Sequence, residues 1–251
     1  MKTNVCYQGD CLDVMKQIED KSIDMILCDL PYGTTACKWD VIIPFEPLWE
    51  QYRRIIKDNG AIVLTASQPF TSALVMSNIS LFRHSWIYKK KCASNFAQAK
   101  YSPMKEHEDV VVFGLSKVKY YPIKEERQGR GAERVKHNFN ETQSGEFTCI
   151  RKAKPSPTEL RYPSSIQEFN NRAVGDRGDH PTQKPVALFE YLIRTYTNEG
   201  VTVLDNCAGS GTTAIACLNT KRNYICIEKD EKYFNIAEKR IKNHLKQLKI
   251  F

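Results

Sequence analysis

Three short apolar runs in this chain each end on an acidic residue and lead straight into a turn. They are Ser22–Asp29, Val201–Asp205 and Tyr224–Glu228. Runs of this length with no polar alternation are the pattern of strands buried on both faces. Ala61–Thr65 is a fourth such run, and Ser85–Tyr88 and Asp109–Phe113 read as two more strands. Helical segments lie between them. Pro47–Lys57 is stopped by Asn59 and Gly60, and Gln68–Ser77 has Pro69 in its first turn. Pro185 opens a helix with Leu188, Tyr191, Leu192 and Thr195 on one face, ended by Gly200. Thr212–Asn219 and Asp230–Leu248 complete the set. Strands alternating with helices predict an α/β fold with a doubly wound, mostly parallel sheet and helices on both faces.

The rhythm breaks once. Residues 117–179 are rich in Gly, Pro, Ser, Asn and charge, with no sustained period. This stretch reads either as a disordered insert or as a binding subdomain of loops and short elements. From Lys117 to Arg177 there are 13 basic and 8 acidic residues, interleaved with Tyr120, Tyr121, Phe139, Phe147, Tyr162 and Phe169. Arg83, Lys89, Lys90, Lys91, Lys100 and Lys105 form a second basic stretch that contains no acid. The whole chain carries a formal charge of +8. Basic side chains mixed with aromatics suit phosphate contact and base stacking, although a solvated basic surface has the same composition. The nine cysteines show no C-x-x-C spacing, and several sit in apolar runs, which predicts reduced core residues and no metal site. No run approaches the roughly 18 apolar residues of a membrane span, so a cytoplasmic protein is expected.

Two strand tips carry the chemistry. Asp205-Asn206-Cys207-Ala208-Gly209-Ser210-Gly211-Thr212 joins a strand to a helix through a glycine-rich turn, where a ligand can approach backbone with no Cβ in the way. Glu228 ends the next strand, where an acid can accept hydrogen bonds from both hydroxyls of a ribose. This half is expected to hold a nucleoside. Asp205 is a poor neighbour for the pyrophosphate of a dinucleotide and a good one for a cation, such as the amino group of a methionine moiety. Taken alone, a glycine-rich turn also fits tight packing.

Asp29-Leu30-Pro31-Tyr32 stands at the other tip. An exocyclic amino nitrogen is a weak nucleophile because its lone pair is delocalised into the ring. Two acceptors on its N–H groups draw it towards tetrahedral geometry, and the Asp29 carboxylate and Leu30 carbonyl are the expected pair. Pro31 restricts the residue before it and fixes that carbonyl. Tyr32 offers a flat face for stacking on a base. An Asp-x-Pro turn after a strand is common, so the weight lies in its pairing with the glycine turn.

These residues resemble the amino-methyltransferases of DNA, the N6-adenine and N4-cytosine enzymes, whose catalytic motif is D/N/S-P-P-Y/F/W and whose cofactor motif resembles D-P-F-A-G-S-G-T-T. The catalytic motif comes first here, as in the beta arrangement of that family. The resemblance implies a Rossmann-like methyltransferase sheet. Residues 1–116 would be the catalytic half, 117–179 an inserted target-recognition region, and 180–251 the cofactor-binding half. It implies S-adenosylmethionine as cofactor, held by Asp10, Cys11, Asp29, His180, Thr182, Lys184, Asp205, Ala208, Gly209, Ser210, Gly211, Thr212 and Glu228. Within that set, Gly9-Asp10-Cys11 is similar to the segment that contacts the cofactor's adenine. Thr182 and Lys184, in His180-Pro181-Thr182-Gln183-Lys184-Pro185, would bind the methionine carboxylate. Residues 33–40 are similar to the family's mobile loop.

DNA is the implied partner, met by Lys89, Lys90, Lys91, Lys100, Arg127, Arg130 and Arg134, with no membrane partner and a homodimer left open. Two positions depart from the pattern: Leu30 replaces the first proline, and Asn206-Cys207 replaces Pro-Phe. Asp29 favours adenine N6 as the flipped-out target, since Ser is commoner there in the cytosine enzymes. Cytosine N4 is the alternative, and a nicotinamide oxidoreductase or a non-catalytic DNA-binding protein are the readings from other classes.

Overall fold

The structure is a computed structural model describing residues 1–35, 37, 40–127, 160–171 and 183–248. The first of two compact units comprises Met1–Tyr121 and Ser165–Phe251. Its elements in chain order are β1 (Val5–Gln8), α1 (Cys11–Met15), β2 (Ile23–Asp29), α2 (Phe45–Ile55), β3 (Ile56–Ala66), α3 (Phe70–Ser77), β4 (Phe82–Ser94) and β5 (Lys105–Phe113). After the second unit come β8 (Ile166–Phe169), α4 (Val186–Tyr196), β9 (Thr202–Asp205), α5 (Thr212–Asn219), β10 (Asn223–Glu228) and α6 (Glu231–Leu248). The second unit, Pro122–Ser164, has β6 (Glu125–Glu126) antiparallel to β7 (Leu160–Arg161). There Arg161 reaches Glu125 at 3.3 Å, and the Lys124 ammonium lies 5.3 Å from the Tyr162 ring centre.

The first unit is one eight-stranded sheet in the order β1-β10-β9-β2-β3-β5-β4-β8. Neighbouring strands are parallel except where β5 meets β3 and β4. Alternation explains the unbroken apolar runs. Met25, Leu27, Ala61, Val63, Val110 and Val112 face one core with Leu188, Phe189, Leu192 and Ile193 of α4 and Ala237 and Ile241 of α6. Ile26, Cys28, Ile62, Leu64, Val111 and Phe113 face the other, under Leu48, Trp49, Tyr52 and Ile55 of α2. A strand covered on both faces has no polar side to show in its sequence.

Several elements differ from expectation. Helix α2 ends at Ile55, and Lys57–Gly60 run as strand because β3 takes a bulge against β2 between Ile23 and Met25. The apolar face of α4 is built by Phe189, Ile193 and Tyr196 as well as Leu188 and Leu192, while Tyr191 is only partly buried. The unforeseen β1 pairs with β10 at the sheet edge. The unforeseen β8, inside the irregular stretch, pairs with β4 at the other edge. Its Ile-Gln-Glu-Phe does not alternate: Gln167 and Phe169 are half-buried on one face, while Ile166 and Glu168 are exposed on the other. Among the described residues no helix is long and apolar enough to cross a membrane.

Leu27 is fully buried in the central strand. Leu27→Ala is expected to lower unfolding free energy by about 2–5 kcal/mol, from lost transfer energy and the cavity left behind. Urea denaturation measures it.

Candidate active site

Chain connections leave β2 and β9 in opposite directions, β2 to β3 on one side and β9 to β10 on the other. Ligands sit at such a switch point, beyond the carboxyl ends of the strands. Register lines up the tips: Gln8 faces Glu228, Cys226 faces Asp205, and Asp29 faces Thr65. Five oxygen-bearing side chains from neighbouring strands (Gln8, Glu228, Asp205, Asp29 and Thr65) therefore share one edge.

The glycine turn is built tightly. Gly211 has φ 79° and a Cβ there would stand 3.2 Å from the Ala237 Cβ, so the turn packs directly on α6. Both Asp205 oxygens serve this turn: one accepts the Cys207 N–H at 3.0 Å, the other the Thr213 hydroxyl. Burial pushes Asp205 up to about 6, against the Thr213 hydrogen bond that favours its charge. Glu228 accepts the N–H groups of Gly209 (2.7 Å) and Asp230 (2.8 Å), and burial raises its pKa. Ala208, Gly209, Ser210 and Thr212 line a cleft with Asp29, Gln183, Lys184 and Asp205. A second groove shares Pro31, Cys207 and Glu228 with it and adds Asp10, Cys11, Leu12 and Ile42. Asp10 caps α1 through the Leu12 N–H at 2.9 Å and pairs with Lys229 at 3.0 Å. Glu228 thus stands where the cleft and the groove meet.

The two departures find local reasons. Asn206 accepts a hydrogen bond from the Tyr52 hydroxyl at 2.6 Å, which ties the turn to α2. Cys207 meets Cys11 and Cys28, and burial pushes the Cys28 thiol up to about 12. Leu30 is buried in the core, anchoring the turn where a proline would have stiffened it.

Asp29 is held from three sides. Its Oδ1 accepts the Tyr32 hydroxyl at 2.7 Å and the Thr65 hydroxyl, and its Oδ2 accepts Lys184 Nζ at 2.6 Å. A carboxylate offers about four acceptor sites, so three donors fix its orientation and leave one site for a substrate N–H. Lys184, 8% exposed, also contacts Glu108 at 3.1 Å, and Glu108 pairs with Lys90 at 2.6 Å. Burial works against the charge on Lys184, but the Asp29 and Glu108 carboxylates outweigh it and hold the ammonium well above the usual lysine range. The Tyr32 ring stacks on Phe70 with centres 5.1 Å apart.

Asp29, Leu30, Pro31, Tyr32, Lys184, Asp205, Ala208, Gly209, Ser210, Thr212 and Glu228 line the cleft together, and Asp10 and Cys11 line the adjoining groove. Lys184, expected on a cofactor carboxylate, instead lies on Asp29 and Glu108. His180, Thr182, Arg130 and Arg134 lie outside the described residues. Lys89 and Lys91 are exposed on β4, Lys89 pairing with Glu168 at 2.8 Å, whereas Lys90 points inward to Glu108. Lys100 is exposed in the β4–β5 turn, and Arg127 follows β6 in the second unit.

Sequence reasoning missed Glu108, Thr65 and Asp40. Thr65 carried the same signal as Asp29, a polar residue ending an apolar run. Asp40 accepts the N–H groups of Gly33 (2.8 Å), Thr34 (2.9 Å) and Thr35 (2.7 Å), fixing the start of the loop after Tyr32.

The N6/N4 DNA methylase family pattern matches residues 23–239. The chain belongs to this family. Among its relatives, the type II methyltransferase M.HpaI of Haemophilus parainfluenzae is 27% identical, aligned over 93% of this chain and 72% of its own length. The DNA adenine methyltransferase YhdJ of Escherichia coli is 26% identical over 93% of this chain and 81% of its own. The crystal structure of the M1.HpyAVI–SAM complex superposes with a TM-score of 0.64 at 22% identity, covering 94% of this chain and 98% of that one, which shows the shared fold.

Lys184 and Lys90 hold Glu108 below the usual carboxylate range despite its burial. Its contribution to stability is present above the ordinary value of 4.5 and is lost as pH falls through the lower folded value. Glu108→Gln leaves Lys184 short of a counter-charge. A loss of about 3–5 kcal/mol is expected at neutral pH, shrinking below pH 4.5 in denaturation measured across pH.

Proposed function

We propose that this methylase transfers a methyl group from S-adenosylmethionine to the N6 amino group of adenine in DNA. The observation that supports the reading best is Asp29, oriented by three donors at the switch point beside a groove suited to a nucleoside. The residues present fit the cofactor. The slot lined by Asp10, Cys11, Pro31 and Cys207 suits an adenine. Glu228 suits the ribose, and the buried carboxylate of Asp205 under the glycine turn suits an ammonium. When bound, S-adenosylmethionine supplies an electrophilic methyl group on a sulfonium.

The chain's own residues supply positioning and electrostatics. The fourth acceptor site of Asp29 takes one hydrogen of the amino group, and the Leu30 carbonyl takes the other. Together they free the nitrogen lone pair and stabilise the positive charge that grows on it. Tyr32, Thr65 and Lys184 keep the carboxylate aimed. A base in duplex DNA reaches this cleft only after leaving the stack. Residues 117–179 serve as the target-recognition region, and Lys89, Lys91, Lys100, Arg127, Arg130 and Arg134 meet phosphates. Lys90 acts through Glu108 instead. Adenine over cytosine follows from Asp29 at the first motif position and from the adenine specificity in YhdJ's name; cytosine N4 is the competing target within the same chemistry.

Expression in a host without DNA methylation, followed by sequencing of modified bases, identifies the base and its sequence context together. N6-methyladenine is expected, and Asp29→Ala is expected to lower the rate by about 10²–10³-fold, the loss typical of removing one charge-stabilising group. N4-methylcytosine would reassign the target, and base methylation no greater than that of the Asp29→Ala variant would sink the reading.

Asp205 titrates near 6, so its charge, and with it the grip on a cofactor ammonium, is expected to grow as pH rises through that value. Calorimetric S-adenosylmethionine affinity should weaken between pH 8 and pH 5 and lose this dependence in Asp205→Asn. An unchanged pH profile in the variant would remove Asp205 from the role.

A further inference from the structure

The turn between β4 and β5 has no part in the cleft, and its surface is unusual for a solvated turn. Phe96 is 59% exposed, Tyr101 88% and Met104 43%. Exposed Lys91, Lys100 and Lys105 surround them, and no acid intervenes before Glu106. The turn is also shaped. Asn95 takes a left-handed φ of 71°, a short 3-10 helix covers Phe96–Gln98, and backbone N–H groups of Gln98, Ala99, Tyr101 and Ser102 find carbonyls within the turn. The Ser94 hydroxyl donates to the Lys105 carbonyl at 3.2 Å across its base. Three large apolar side chains are thus displayed on a preorganised, positively charged support.

Its position relates it to the active site. Strand β4 runs parallel to β2, so Ser94 leaves the sheet at the same edge as Asp29. Three strand spacings separate the two strands, about 14 Å at ~4.8 Å each. An ion-pair chain spans that gap: Lys90 on β4, Glu108 on β5, Lys184, then Asp29. The turn begins and ends within five residues of Lys90 and Glu108.

We propose that this turn is the wedge of the DNA-methylating reaction, with Tyr101 entering the base stack where the target base has left it. The inference rests on the DNA methyltransferase reading given above. A flipped base leaves an unstacked gap, and apolar or aromatic side chains fill such gaps in bent or opened duplexes. Lysines on either side of the aromatic ring neutralise the flanking phosphates. Phe96 and Met104 pack against the sugar edge of the gap.

Two oligonucleotide duplexes carrying the sequenced target site test this. In one the target base is paired; in the other an abasic residue stands opposite it, so little unpairing energy is needed. Tyr101→Ala is expected to cut kcat/KM on the paired duplex about tenfold or more, the worth of one aromatic stacked on a base. On the abasic duplex it should stay within about twofold of wild type. Phe96→Ala should show a smaller loss of the same pattern. Both side chains are exposed, so thermal melting should match wild type. Equal losses on the two duplexes, or no loss on either, would overturn the wedge. A wild-type protein that methylates neither duplex would overturn the methyltransferase reading itself.

Discussion

Everything in the active site follows from β2 and β9 lying side by side and parallel while their chain connections depart in opposite directions. A parallel pair cannot be closed by a tight turn, so each strand must cross over through a helix. At the point of divergence the two connections part, and a crevice opens there. The chain places Asp29 and Asp205 on those two ends. It places Thr65 and Glu228 one strand further out on either side. The distance from Glu228 and the glycine turn to the Asp29 carboxylate is thus set by strand spacing, a property of backbone hydrogen bonding that side-chain motion cannot change.

Such an arrangement gathers charge where water is scarce, and two solutions to that problem stand next to each other. Around Asp29 the fold balances signs: carboxylate, ammonium, carboxylate and ammonium follow in turn from Asp29 through Lys184 and Glu108 to Lys90. Each member depends on its neighbours, because a buried ion costs several kcal/mol once a partner is lost. Around Asp205 no cation is supplied among the described residues. Its carboxylate relies on the Thr213 hydroxyl and the Cys207 N–H, and burial leaves it up near 6. The ionised form therefore costs the fold stability, a contribution present below the ordinary carboxylate value and lost as pH rises through about 6. A cation arriving from outside relieves that cost, which couples ligand affinity to the empty protein's instability.

What could be read from the chain divides along physical lines. The central strands were legible because double-sided burial leaves an unmistakable apolar run, and the two motifs were legible because each sits at such a run's end. Strand β8 was not, since its half-buried face carries the polar Gln167 beside Phe169 and its exposed face carries Ile166, which leaves no apolar alternation to read. The length of β3 was hidden by Asn59 and Gly60, which ordinarily end an element but here accommodate a bulge. Lys184 was recognised as a site residue, yet its contacts depend on Glu108, a residue 76 positions earlier whose role only the pairing of β5 with β4 reveals. Asp40 was invisible for the same reason: three backbone N–H groups leave no trace in side-chain identity.

The charge chain also constrains how the parts can move. Lys90 and Glu108 occupy adjacent antiparallel strands that continue directly into the β4–β5 turn. Shifting that turn by an ångström while the ladder holds displaces Glu108, and Lys184 must then follow one carboxylate or the other. With Asp29 gripped by Tyr32 and Thr65 as well, the ammonium stays with Asp29 and the strain falls on the Glu108 side. Rigid support is the consequence. On the wedge reading, force on the turn is met by the packed sheet rather than by the aim of Asp29.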